Sequence, residues 1–301
     1  MPFLSIIIAA HNSDKTLPAT LASLRLALGK TQDAEVIIIN DGSTDNTQHV
    51  IDQWHSQLPN LLTMQVDYHN IGKVRQQAIS LASGEYITML DSDDILKPES
   101  LLDAIRFLRE QQPDMLLTRL IEIKDLKQIT PDWHGFKPQN LTTHEAIRRF
   151  LVHKDFQAHL IGQFIRRDLY LKSPIPPLSC YEDFAIFPEM LLNAERISFQ
   201  RHGHYYYVKY PNSLSNTPDA SQITHLVDCT LKMEKLFAAE FEHLINCHWF
   251  NIWTRHQERL TPLQREIIKK RIDKVYSLAF FLSKDIRFSY KKRAIKELWK
   301  K

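Results

Sequence analysis

Short apolar runs alternate with stretches of helical character along the first 112 residues. The runs at 4 to 10, 35 to 40, 61 to 66 and 86 to 91 are nearly unbroken in Ile, Val, Leu and Met. That pattern suits strands covered on both faces, as in a parallel sheet, better than the strict alternation of a half-exposed one. Between them, Lys15 to Leu28 and Val74 to Ala82 carry helical periodicity, so the order is β-α-β and the expected class is α/β with a mostly parallel central sheet. Ser43-Thr44-Asp45 and Pro98-Glu99-Ser100 read as starts of further helices, and Gly42 permits the tight exit that the turn before the first of them needs.

The character changes after about residue 112. Pro113-Asp114 leads into another apolar strand, Met115 to Leu120, and Ile129 to Asn140, with Pro131, Trp133, Gly135 and Pro138, reads as an irregular loop. Trp133 is suited either to stacking on the flat face of a ligand or to anchoring that loop to the core. Pro174, Pro176 and Pro177 break the chain before Tyr181 to Asn193, which has the spacing of an amphipathic helix with acidic residues in its first turn. Further on, Lys232 to Ile245 and Leu263 to Phe281 recur at helical spacing. The final segment, Lys291 to Lys301, is basic with interleaved apolar residues, as in a helix lying on a membrane surface or a solvated terminal helix. The expected organisation is one domain over 1–216, with halves at 1–112 and 113–216, followed by a helical region over 217–301.

Composition narrows the classes. A chain of 301 residues with 44% hydrophobic content can bury one large α/β core and carry an appended helical unit. No run of about 18 or more apolar residues suggests a membrane span, and Met1-Pro2-Phe3-Leu4 has no basic start of a signal peptide, so a cytoplasmic setting is expected. Cys180, Cys229 and Cys247 form no disulfide framework. A net charge of +3 is too small to argue for nucleic acid as a partner.

The candidate chemistry lies where the strands end. Tyr86-Ile87-Thr88-Met89-Leu90 delivers Asp91, Ser92, Asp93 and Asp94; the run 35 to 40 delivers Asp41; the run 4 to 10 delivers His11-Asn12. Ligands of such sheets bind outside the carboxyl ends of the strands. Two aspartates there can serve a hard divalent cation, Mg²⁺ or Mn²⁺, which uses one or two carboxylates together with substrate phosphates. Taken alone, an Asp-Ser-Asp-Asp run is equally a turn and a helix cap.

Taken together these residues resemble the family 2 glycosyltransferases, inverting enzymes with the GT-A nucleotide-sugar fold. The resemblance rests on Ser5 to Asn12, Asn40 to Asp45, Gly84 to Asp94 and Tyr181-Glu182-Asp183-Phe184, with a weaker match at Tyr205-Tyr206-Tyr207 and Asn212-Ser213-Leu214-Ser215. It covers roughly residues 1 to 216. It implies Asp183 as catalytic base and Asp93 as metal ligand. Ala10, His11, Asn12, Asp41, Lys73, Arg75, Asp91 and Ser92 would contact the donor, a nucleotide diphosphate sugar expected to be uridine-linked. The implied acceptor is a hydroxyl of a saccharide or lipid-linked oligosaccharide in surface polysaccharide synthesis, of the lipopolysaccharide or capsule type. A membrane-held acceptor would suit the reading of the basic C-terminus as a surface helix, which would add peripheral contact at the inner face of the membrane; a solvated terminal helix is the alternative. Three positions depart from the family pattern. The loop after Asn70 is short, Gln76 stands where asparagine is common, and Tyr210 takes the place of a metal-binding histidine, with His202 and His204 nearby. Displacement at the anomeric carbon needs a carboxylate to remove the acceptor proton and positive charge to offset the departing diphosphate. A non-catalytic scaffold keeping the fold is the alternative, and the intact Asp41, Asp91, Asp93 and Asp183 argue against it. Neither a phosphate loop of the G-x-x-x-x-G-K-[ST] type nor a G-x-G-x-x-G fingerprint is present.

Overall fold

In a computed structural model of the chain, residues 1–58, 60–130, 132–210 and 218–299 are described. The Asn212 to Ser215 motif, Pro131 and the terminal Lys300-Lys301 lie outside them. Packing divides the chain into two compact units, Met1–Thr143 with Ala158–Ser213, and His144–Gln157 with Leu214–Lys301.

The first unit opens with β1 (Leu4–Ala10), α1 (Leu17–Leu28), β2 (Ala34–Asp41), α2 (Thr47–Gln53), β3 (Leu61–Val66), α3 (Ile71–Leu81) and β4 (Tyr86–Met89). The apolar runs become strands because β1 and β2 are sandwiched on both faces, with Leu4, Ile6, Ile8, Val36 and Ile38 fully buried. They pair in parallel in the order β3-β2-β1-β4, with Ile7 opposite Ile37 and Met89. The fourth strand is shorter than the apolar run: its ladder stops at Met89, which releases Leu90 and Asp91 into the turn beyond. Helix α3 begins earlier than the periodicity suggests, because Asn70 accepts a hydrogen bond from Lys73 N at 3.0 Å and caps it.

The sheet continues through β5 (Ile95–Leu96), α4 (Ser100–Gln111), β6 (Met115–Ile123), β7 (Gln139–Leu141), α5 (Thr143–Leu151), β8 (Phe164–Arg166), α6 (Arg167–Lys172), α7 (Glu182–Asn193) and β9 (Ile197–Val208). Beyond β4 the order is β8-β6-β9-β5, with β7 also on β9. Strand β8 is antiparallel to both β4 and β6, while β9 is parallel to β6, so β1, β2, β3, β4, β6 and β9 share one direction.

The two edges of the parallel region are built differently. At the amino edge Glu35 is buried. Its carboxylate accepts from Ser5 Oγ at 2.6 Å, Ser83 N at 2.6 Å and Gly84 N at 3.1 Å, which fixes the entry to β4. A Cβ on Gly84 would meet Ser5 Oγ at 2.6 Å, so glycine is required by that approach. The carboxyl edge carries the aspartates.

Trp133 is an anchor. Its Nε1 donates to Asp103 at 2.8 Å and its ring packs edge-on against Phe136 at 4.9 Å, so it is held inward rather than offered to a sugar. His204 closes the same aromatic cluster, stacked on Phe164 at 5.2 Å, fully buried, with neither ring nitrogen hydrogen-bonded.

The second unit contains most of α5 and then α8 (Ala220–Leu236), α9 (Glu242–His256), α10 (Pro262–Ile272), α11 (Leu278–Leu282) and α12 (Phe288–Leu298). Its core includes Val227, Met233, Trp249, Phe250 and Ile268. The apolar face of α5 joins it through Phe150, which meets Phe237 and His248. The two long helical stretches read from the sequence are each broken. Phe237 turns extended and ends α8, and Ser277, which accepts from Phe280 N, restarts the chain at α11.

Burial holds His204 well below the ordinary imidazole range, at about 3, with the charge of Lys97 adding to the effect. The unfolded chain takes up a proton near the usual value of about 6.5 while the folded one does not. This contribution is therefore complete above that pH and is lost as pH falls toward 3. His204→Phe is expected to leave stability at neutral pH unchanged or raised, and to flatten its fall between those values, as read by urea unfolding across the range.

Candidate active site

At the carboxyl edge, each turn is tied to the next by buried polar groups. Asp41, at the end of β2, has a carboxylate that accepts from three successive backbone amides: Tyr68 N, His69 N at 3.0 Å and Asn70 N at 3.1 Å. It therefore shapes the 68–70 turn and, through the Asn70 cap, the start of α3. A carboxylate has about four acceptor positions, so one remains for a ligand. Gly42 follows at φ 62°, where a Cβ would meet His69 Cε1 at 2.5 Å. That position admits only glycine, for both conformation and space.

From β1, the His11 Nδ1 bonds the carbonyl of Asp41 and its ring stands edge-on to His69 at 5.5 Å. Asn12, at φ 47°, accepts from Thr44 N at 2.8 Å and takes Ser43 Oγ on its own amide at 2.9 Å, while Ala10 is buried at the strand end. The start expected at Ser43-Thr44-Asp45 lies two residues later, at Thr47. Asp45 supplies the capping oxygen, accepting from Thr47 N at 3.0 Å and Asp14 N at 3.1 Å.

The aspartates after β4 divide by role. Asp94 is fully buried and accepts from Tyr205 Oη at 2.6 Å and Val208 N at 2.8 Å, while the same tyrosine oxygen accepts from Asp91 N at 3.0 Å. It fastens the turn to β9 and is closed to any ligand. Burial, with the charge of Asp91, pushes its carboxyl up to about 8. Ser92 faces Ser13 at 2.8 Å. Asp93 is partly exposed, and burial together with the charge of Asp91 pushes it up to about 6. Two carboxylates in mutual repulsion are what a divalent cation relieves, and Asp91 and Asp93 fit one that takes its remaining ligands from a diphosphate and water. Among the described residues, no three His, Cys, Asp or Glu side chains form a cage of their own. The phenol of Tyr210 is pushed up by burial and then by the charges of Asp93 and Asp94.

Arg75 reaches this turn from α3. Its guanidinium is buried, donates to Asp91 at 2.9 Å and bonds Glu182 at the start of α7. Burial works against its charge, yet Glu182, Asp91 and Asp183 more than offset that and hold it above its ordinary range. Burial likewise pushes Glu182 up, to about 7, against the pull of Arg75. Arg75, a donor contact in the sequence reading, here bridges two carboxylates. Lys73 contributes only its backbone amide to the helix cap and keeps its side chain exposed. Gln76 accepts from Ile175 N at 2.8 Å and so holds the proline loop.

Asp183 sits in the first turn of α7, accepting from Phe184 N at 2.6 Å, with His159 Nδ1 at 3.8 Å from its other oxygen. The loop before it is lashed to α3: Gly72 N donates to Leu178 O at 3.0 Å and Asn70 Nδ2 to Pro177 O at 3.1 Å. A Cβ on Gly72 would meet Pro176 O at 2.2 Å, so the close approach depends on glycine. His159 and the Tyr205 bridge escaped sequence reading. His159 stands in an irregular segment with no spacing signal, and only the tyrosine run hinted at the second.

An open, mostly parallel sheet with acidic turns at its carboxyl edge and a helix beside them that starts on two carboxylates is the arrangement of the nucleotide-sugar transferase class. The profile of glycosyl transferase family 2 matches residues 5–170, and the chain belongs to that family. Among its relatives, the poly(ribitol-phosphate) β-N-acetylglucosaminyltransferase TarS of Staphylococcus aureus is 28% identical over 206 residues, 67% of this chain and 35% of that protein. The poly(ribitol-phosphate) β-glucosyltransferase of Bacillus spizizenii is 28% identical over 215 residues, 68% and 32% respectively. The chain thus spans about a third of the length of these curated relatives. In solved structures the fold is that of S. aureus TarS 1-349, with a TM-score of 0.66 at 22% identity over 89% of this chain and 77% of that one. The same protein in complex with UDP-GlcNAc gives 0.62 at 23% identity, covering 98% and 79%. These neighbours have the GT-A fold, as the sequence resemblance implied.

Replacing Arg75 with Gln leaves two carboxylates without their cation at a buried site. A loss of about 3–5 kcal/mol in unfolding free energy is expected, by the usual cost of breaking a buried pair. Urea denaturation of the variant checks it.

Proposed function

We propose that the protein is an inverting glycosyltransferase that moves a sugar from a uridine diphosphate donor to a hydroxyl of a saccharide or lipid-linked oligosaccharide acceptor in the synthesis of a surface polymer, acting inside the cell at the inner face of the membrane. The observation that carries the reading is the Arg75 bridge, which brings the turn of Asp91 and Asp93 and the helix start bearing Asp183 onto one guanidinium. Support for a uridine donor comes from the TarS neighbour in complex with UDP-GlcNAc, and for a surface polymer from the names of the relatives. A further neighbour, a mannosyltransferase of Pyrobaculum calidifontis with a TM-score of 0.59 at 14% identity, over 100% of this chain and 88% of that one, is in complex with GDP-Man and Mn²⁺.

In this reading the free acceptor position on the Asp41 carboxylate takes an N–H of the base, and Ala10, His11 and Asn12 line the nucleoside. Asp93, with Asp91, holds Mn²⁺ or Mg²⁺. A bound divalent cation supplies the positive charge that offsets the departing diphosphate. Asp183 removes the proton from the acceptor hydroxyl as its oxygen bonds the anomeric carbon, and attack opposite the leaving group inverts that centre.

Asp183→Asn is expected to lower transfer by at least about a thousandfold while donor binding by calorimetry stays within twofold of the unaltered protein. Asp93→Asn should instead weaken metal-dependent donor binding. Equal loss of donor binding in both variants would contradict these roles. Because Asp93 titrates near 6, a cation must displace its proton below that pH. Mn²⁺-dependent binding of UDP should therefore weaken as pH falls through 6 and be flat above 7, a profile that Asp93→Asn removes.

A further inference from the structure

Helix α12 is turned the wrong way for a helix that only packs on its neighbours. The residues it presents to the unit are Tyr290, Arg293, Ala294 and Glu297, of which Ala294 alone is fully buried. Its large apolar residues face out: Phe288 is 78% exposed, Ile295 46% and Trp299 88%. At i, i+7 and i+11 these three lie on one line along the helix. Lys292 and Lys296 flank that line on one side and Arg287 on the other, all exposed, and no acidic residue is exposed between Arg287 and Trp299. The short helix before it repeats the feature, with Leu278 at 74% and Leu282 at 71% exposed, four residues apart. The orientation is fixed from within the unit. Lys291 Nζ donates to Ser283 O at 2.7 Å and Arg293 donates to Asn251 at 2.9 Å, so the outward face is not free to roll in.

A line of apolar side chains bordered only by cations is complementary to a surface that is apolar inside and anionic at its boundary. Tryptophan and lysine near a helix end suit such a boundary, the ring lying at headgroup depth and the ammonium reaching phosphate. A second copy of this chain would bury the aromatics while leaving the cations without partners from this face. Among the described residues no helix is long and apolar enough to cross a membrane, so contact through this face would be lateral. We propose that the outward face of α12, through Phe288, Ile295 and Trp299 with Lys292 and Lys296, docks on a phospholipid bilayer containing anionic lipid. This deepens the reading above by naming the surface that would bring the site to a membrane-held acceptor, and it rests on that reading only for its purpose.

Vesicle binding is measured without donor or acceptor, so it stands apart from whether sugar is transferred. The full chain is sedimented with vesicles of phosphatidylcholine alone or with about one third phosphatidylglycerol, at low and raised salt. The expected result is binding to the anionic vesicles, weakened by salt, with a blue shift of tryptophan emission that Trp299→Phe removes. Lys292→Gln with Lys296→Gln should lower the partition coefficient roughly tenfold or more, at about fivefold per cation. Phe288→Ser should also lower it, with far-UV circular dichroism unchanged because the side chain is exposed. Absence of binding at low salt, equal binding to phosphatidylcholine alone, or full binding by these variants would overturn the proposal. Self-association of the chain without vesicle binding would assign the face to a second copy instead.

Discussion

A single buried guanidinium holds the carboxyl edge of this sheet together. Arg75 cannot lose its proton and cannot be buried without anions, so wherever α3 places it, carboxylates must follow. Asp91 arrives from the end of the β4 run and Glu182 from the start of α7. Each is separated from Arg75 by a different part of the chain, and their shared partner fixes the distance between the turn of Asp91 to Asp94 and the helix that carries Asp183. The position of α3 is itself set by Asp41, whose three amide bonds shape the turn that leads into it. Asp41 and Arg75 thus do structural work before any ligand arrives, and a carboxylate that organises a turn is already held rigid for binding.

Close approach of backbone completes the arrangement. Gly72 lets the loop from Pro176 to Leu178 lie directly on α3, and Gly84 lets β1 meet the entry to β4. The amino edge is locked by Glu35, whose carboxylate is taken up by hydroxyl and amide donors. Rigidity at one edge and partly open carboxylates at the other follow from the parallel region β3-β2-β1-β4, whose strands end on the same side.

The Asp91 to Asp94 run shows how neighbouring aspartates acquire different properties. Asp94 points inward to Tyr205 and Val208 and is removed from solvent, while Asp93 stays partly open. Both are pushed upward by burial and by the charge of Asp91. The inner one is answered by hydrogen bonds within the protein, and the outer one stays partly open to solvent.

The strands were legible in the sequence because burial on both faces demands unbroken apolar runs, and a local pattern reports that demand directly. The turns at their ends were legible for a related reason: Asp, Ser, Asn and Gly are the residues that leave a ladder, so His11-Asn12, Asp41-Gly42 and Asp91 to Asp94 could be set along one edge. Strand order beyond β4 was not, since β8 and β9 join the sheet by pairings across long stretches of chain. Nor was the employment of Arg75: its bond to Glu182 spans 107 positions, and nothing in either residue's neighbourhood announces the other. The inward turn of Asp94, the anchoring of Trp133 and the place of His159 beside Asp183 belong to the same kind. The amphipathic pattern of the last helix was visible, but not that its apolar side faces out, because periodicity gives a helix two faces and only packing against a neighbour chooses between them. The sequence by itself determined the α/β class, the carboxylates and the edge they share; tertiary structure alone decided which of them are paired, which are closed and which are left to meet a ligand.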